Sequence, residues 1–106
     1  MTGRRKRPRL LLADAHATLT DGLRRLLEPE FEVIGAARDG WDLIDAAKRL
    51  KPEVILAEIS MPLLNGIGAL RRIKKAGLQA KVVILTMHAE VEFGLQALHS
   101  GAAATF

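Results

Sequence analysis

The sequence predicts an α/β fold built on βαβ units around a parallel sheet. Three observations carry that expectation. Short, nearly uninterrupted apolar runs such as Leu10-Leu11-Leu12-Ala13 and Val54-Ile55-Leu56-Ala57 suit strands buried on both faces. Segments of helical periodicity alternate with those runs four times, the pattern of right-handed βαβ units. Finally, the central runs end in polar residues, Asp14, Glu58 and Thr86, where an open α/β sheet places its ligands.

Each element has its own justification. The first strand is Leu10 to Ala13, ending at Asp14. Leu19, Leu23, Leu26 and Leu27 recur at i, i+4, i+7 and i+8, the stripe of an amphipathic helix that Glu28-Pro29 closes. Phe31 to Ala37 is a less apolar second strand, expected toward the sheet edge. Asp39 can cap a second helix whose apolar face is Leu43, Ile44, Ala47 and Leu50, with Pro52 as its stop.

The third strand ends at Glu58, and Pro62, Asn65 and Gly66 are expected to keep the following loop out of regular structure. Ile67, Leu70 and Ile73 carry a third helix with a cationic last turn and Gly77 as its C-cap. Lys81 to Leu85 is a fourth strand ending at Thr86. Val91, Leu95 and Leu98 mark a fourth helix, weakened by Gly94 and ended by Gly101, and Ala102 to Phe106 begins a fifth strand.

Composition bounds what the chain does. Its 106 residues fit one domain. The absence of cysteine excludes disulfides and cysteine-based sites and suits a reducing cytoplasm, the expected location. No apolar stretch approaches the roughly 18 residues of a membrane span, and Met1 to Arg9 leads into no secretory segment. The formal charge is +4, but Arg4, Arg5, Lys6, Arg7 and Arg9 supply five of the sixteen basic residues, leaving eleven against twelve acidic ones, a net of −1. The basicity therefore lies in an arm, residues 1–8, expected to be disordered ahead of a domain over residues 9–106. Neither a Gly-x-Gly-x-x-Gly nor a nucleotide-hydrolase phosphate loop follows the first strand.

In sheet order 2-1-3-4-5, Asp14, Glu58 and Thr86 crowd one rim. Two acids and a hydroxyl there can serve a hard cation and a phosphoryl group, or form an ordinary polar rim. His16 and His88 flank the rim without a third ligand at metal spacing and read as loop residues. His99 reads as a surface or helix-dipole residue and Trp41 as packing.

The run Leu11-Leu12-Ala13-Asp14-Ala15-His16, the Glu58-Ile59-Ser60-Met61-Pro62 motif, Asn65-Gly66 and Leu85-Thr86-Met87-His88 resemble the receiver domain of bacterial two-component response regulators, in wording closest to the NarL/LuxR-type branch. The resemblance spans about residues 9 to 106. It implies a flavodoxin-like (βα)5 fold and a place in phosphorelay signalling, where a histidine kinase passes a phosphoryl group to an aspartate. It makes Asp14 the first acid of the Mg2+ pocket, Glu58 the acceptor position, Ser60 a backbone-carbonyl metal ligand and Thr86 the switch hydroxyl.

The departures from that pattern fall at the decisive places. Ala15 stands where the second acid belongs and Glu58 where the acceptor aspartate belongs. The extra methylene shifts the carboxylate by about 1 Å, a misplacement that can cost on the order of 100-fold in rate. The family's lysine would lie about two residues past Phe106, the family's fifth helix beyond that, and Thr105 stands where a switching aromatic is frequent. Without that helix, apolar sheet surface is expected to be left bare. The expectation is a non-enzymatic, phosphorylation-independent pseudo-receiver with no cofactor, Mg2+ being weakly held by Asp14, Glu58 and the Ser60 carbonyl if at all. Glu58 either imitates a phosphoryl charge in part or holds one fixed conformation. The expected partners are a histidine kinase or other signalling protein, a DNA-binding output domain and a second copy in a homodimer; no membrane is involved. The alternatives are a receiver that still takes a phosphoryl group with Mg2+, and a basic arm that contributes to DNA binding.

Overall fold

The computed structural model describes residues 6–85, Ala102 and residues 104–105. Five parallel strands form one sheet in the order β2-β1-β3-β4-β5: β1 Arg9–Ala13, β2 Glu32–Ala37, β3 Val54–Glu58, β4 Lys81–Leu85 and β5 Ala104–Thr105. Three helices connect them, α1 Ala17–Leu27, α2 Gly40–Leu50 and α3 Gly66–Lys75. The doubly wound order is as the resemblance implies, with β2 at the edge. The fourth helix expected around Val91, Leu95 and Leu98, with Gly94, Gly101, Met87, His88 and His99, lies outside the described residues. Among the described residues no helix is long and apolar enough to cross a membrane.

The core lies between the sheet and α2 with α3. Alternate strand residues, Leu11, Ile55, Val82 and Ile84, meet Leu43, Leu70 and Ile73 from the helices, all essentially fully buried. Each such Leu or Ile contributes about 1.5–3 kcal/mol. Local chemistry sets the helix ends. Asp39 accepts a hydrogen bond from the Asp42 N–H at 2.8 Å and caps α2, and Asn65 accepts from the Gly68 N–H at 2.8 Å and caps α3. Gly77 is the left-handed residue (φ 81°) just beyond the Ala76 C-cap, one place later than expected. Its N–H donates to Lys74 and that of Leu78 to Ile73, a Schellman closure.

The opposite face is less covered. The α1 stripe is narrower than the sequence suggests: no α1 residue is fully buried, and Leu26 is 74% exposed. Its main sheet contacts are with β1 and β2, so a band around Leu23 and Leu27 suffices and Leu26 falls beyond it. Next to it, Leu10, Val54, Leu56, Val83 and Leu85 line an apolar groove of about 330 Å3. Leu10 is fully buried there and Val54, Leu56, Val83 and Leu85 are half-buried.

Two of the basic residues counted with the arm are held by the fold. Arg9 opens β1, and its guanidinium donates to the Leu50 carbonyl at 2.7 Å and the Lys51 carbonyl at 2.9 Å, satisfying the carboxyl end of α2. Arg7 donates to the Glu28 carbonyl after α1. Arg9→Ala is expected to lower stability by about 1–2 kcal/mol, read as a lower urea midpoint at unchanged m.

Candidate functional site at the acid rim

β1 and β3 are neighbours in register, with Ala13 opposite Ala57, and the next residue of each is an acid, Asp14 and Glu58. The strands therefore deliver both side chains to one rim. The backbone holds them there: the Asp14 N–H donates to Ala37 at 3.0 Å, and the Ile59 N–H to Leu85 at 3.2 Å. Both acids are buried, Asp14 to 4% exposure and Glu58 to 2%, and they are the buried charged residues of the described core.

Their hydrogen bonding is half complete. Asp14 Oδ1 accepts the His16 N–H at 2.7 Å and lies 3.0 Å from His16 Nδ1, while Glu58 Oε1 accepts the Ser60 N–H at 3.2 Å. Asp14 Oδ2 and Glu58 Oε2 are sealed from solvent and make no hydrogen bond among the described residues. A buried, unpartnered carboxylate oxygen is costly and rare, and such groups concentrate at functional sites.

His16, read from the sequence as a loop residue, is the contributor that was missed. It is the N-cap of α1, and although its side chain is 72% exposed, its backbone and ring both engage Asp14. The available signal was its place two residues after an acid, the spacing of an Asx turn. Trp41 is also more than packing: it is 50% exposed, with the Arg72 guanidinium 4.8 Å from its ring centroid.

The loop after Glu58 is closed by the Gly66 N–H donating to Ile59 at 2.9 Å. Gly66 is the first residue of α3 rather than part of the loop, and it packs directly on the Glu58 carbonyl, where a Cβ would collide with backbone. Ser60 and Ala15 are exposed at the rim, Ala15 bringing no donor or acceptor in its side chain. Thr86 follows β4 but lies outside the described residues. Of the Mg2+ donors that the resemblance implies, Asp14 and Glu58 stand at this rim, with Ala15 in place of the second acid. Among the described residues no three His, Cys, Asp or Glu come together to hold a metal, and one oxygen of each acid is already engaged.

The family model for the response regulator receiver domain matches residues 10–106. The chain belongs to that family. This receiver domain is 33% identical over 95 residues to the transcriptional regulatory protein DegU of Brevibacillus brevis, covering 88% of this chain and 40% of that protein. To the nitrate/nitrite response regulator NarL of Escherichia coli K12 it is 32% identical, over 88% of this chain and 44% of that one. It thus spans less than half the length of these relatives. Among solved structures, a LuxR-family two-component response regulator from Aurantimonas sp. SI85-9A1 superposes with a TM-score of 0.90 at 29% identity, over 94% of this chain and 73% of that one. The receiver domain therefore has the flavodoxin-like fold and the two-component, LuxR-type kinship that its motifs imply.

Proposed function

We propose that this receiver domain is a phosphorylation-independent pseudo-receiver, a non-enzymatic module that works through protein–protein contacts. In the longer protein it controls a DNA-binding output domain, in keeping with the transcriptional regulators it resembles. The observation that carries the reading is the state of the rim. Glu58 is a buried glutamate at the acceptor position, with one oxygen tied to the Ser60 N–H, and the position of the second acid is Ala15. A longer carboxylate that is already hydrogen-bonded and short of its metal-binding neighbour is a poor nucleophile for phosphoryl transfer. In this reading Thr86 keeps the position of the switch hydroxyl, and the partners are a histidine kinase or other signalling protein, or a second copy of the chain. The basic arm of residues 1–8, ahead of the receiver domain at 9–106, is not the DNA-binding element, in keeping with the engagement of Arg7 by the Glu28 carbonyl.

Intact mass after incubation with Mg2+ and a small phosphodonor tests this. The native protein is expected to gain no phosphoryl group, whereas Ala15→Asp with Glu58→Asp, in a chain extended past Phe106 through the family's lysine, is expected to gain one. Phosphorylation of the native rim would sink the reading. A second reading, a rim that takes up Mg2+ and still accepts a phosphoryl group, is favoured by the unpartnered Asp14 Oδ2 and Glu58 Oε2. It requires saturable Mg2+ binding that Asp14→Asn abolishes.

A further inference from the structure

On the other side of β1 from Glu58, a cleft of about 270 Å3 opens beside the start of α1 and the end of β2. One face of α1 walls it: Ala17, Thr20, Asp21 and Arg24 recur at i, i+3, i+4 and i+7. Arg38, just past the end of β2, lines it too, and Asp14 and Ala15 form its border with the rim.

Two arginines and two aspartates balance formally; each acid has a partner for one oxygen, while Asp14 Oδ2 makes no hydrogen bond among the described residues and is sealed from solvent. Asp14 Oδ1 takes the His16 N–H, and Asp21 pairs with Arg25 at 3.4 Å. The guanidinium groups of Arg24 and Arg38 make no hydrogen bond or ion pair with any described residue. Independently, the N-cap of α1 makes no side-chain capping bond, which leaves first-turn N–H groups without an intrahelical partner beside Ala15 and Ala17. Unpaired guanidinium forks and an uncapped helix start present the same thing to a ligand: donors and positive charge. The volume lies just under the range usual for drug-sized ligands.

We infer that this cleft binds a small oxyanion-bearing molecule, a phosphate monoester or a carboxylate, held by Arg24, Arg38 and the amino end of α1. Planar guanidinium groups suit either oxyanion, and no covalent step is involved. The inference stands whether or not Glu58 accepts a phosphoryl group, because the bound molecule leaves the protein's mass unchanged.

The test is an amide chemical-shift titration of the protein with inorganic phosphate, glycerol 3-phosphate and succinate at constant ionic strength. Saturable shifts are expected at Ala17, Thr20, Asp21, Arg24 and Arg38 with at least one probe. Arg24→Gln and Arg38→Gln should each weaken binding by about tenfold or more, and Lys48→Gln on the exposed side of α2 should leave it unchanged. Tighter binding of glycerol 3-phosphate assigns a phosphate ligand; tighter binding of succinate assigns a carboxylate. Absence of saturable shifts at the cleft, or shifts that survive in the double arginine variant or map only to Arg4–Arg9, overturns the inference.

Discussion

Glu58→Gln is expected to raise stability by about 1–2 kcal/mol, or about 4–16 °C in melting temperature for a domain of this size. Glu58 is 2% exposed, and its Oε2 makes no hydrogen bond among the described residues. Burying a charge in that state is unfavourable, and the acid that follows β1 in the same register, Asp14, adds a second such group to the rim. Glutamine keeps the volume and the Oε1 acceptor that the Ser60 N–H uses at 3.2 Å. It replaces the stranded oxygen by a neutral amide, whose unmet donors offset part of the gain. Thermal unfolding of wild type, Glu58→Gln, Asp14→Asn and the double variant decides the matter. The double variant should gain less than the sum of the singles, because each change relieves the repulsion felt by the other. A loss of more than about 1 kcal/mol in Glu58→Gln would show that the carboxylate is a structural fixture of the rim.

That a stability cost sits at this rim was only half legible in the sequence. The strands announced themselves because runs such as Leu10 to Ala13 and Val54 to Ala57 are nearly uninterrupted in apolar residues, although Val54 and Leu56 are only half-buried, and the polar residues that end them mark the rim without any knowledge of packing. The capping residue Asp39 was legible as chemistry, since it serves its own helix, whereas Asn65, read only as a loop residue, turns out to cap α3. The α1 stripe was legible only as periodicity. How wide a band the sheet uses depends on which strands the helix crosses, and Leu26 is exposed for that reason. The partners of the acids were hidden for a related reason. Whether Asp14 meets His16, and whether Glu58 turns back to the Ser60 N–H, is set by loop geometry that leaves no mark on hydrophobic pattern. The cleft at Arg24 and Arg38 was invisible because it needs a helix face and a strand end 14 positions apart to be brought together.

Gly66→Ala is expected to destabilise the domain by about 2–3 kcal/mol and to disturb the rim itself, whereas Gly22→Ala should stabilise by about 0.5–1 kcal/mol. Both glycines lie in helices, so propensity alone predicts the same modest gain at each. What separates them is space. A Cβ at Gly22 would meet nothing within 4 Å, while one at Gly66 would strike the Glu58 carbonyl oxygen and come within 3.1 Å of its carbon and 3.2 Å of Ile59 Cα. Those are backbone atoms at the end of β3, held by the Ile59 N–H to Leu85 bond and by the Gly66 N–H to Ile59 bond, so no side-chain rotation relieves the contact. Either α3 retreats, opening the core around Ile67, Leu70 and Ile73, or the end of β3 shifts and carries Glu58 with it. Denaturant melts of the two variants give the energies. Amide shifts at Glu58, Ile59 and Ser60 show which element moved: large changes there with α3 intact mean that the rim yields. Equal stabilisation of Gly22→Ala and Gly66→Ala would refute the close approach of α3 to the Glu58 carbonyl, and with it the reason for a glycine at the first position of that helix.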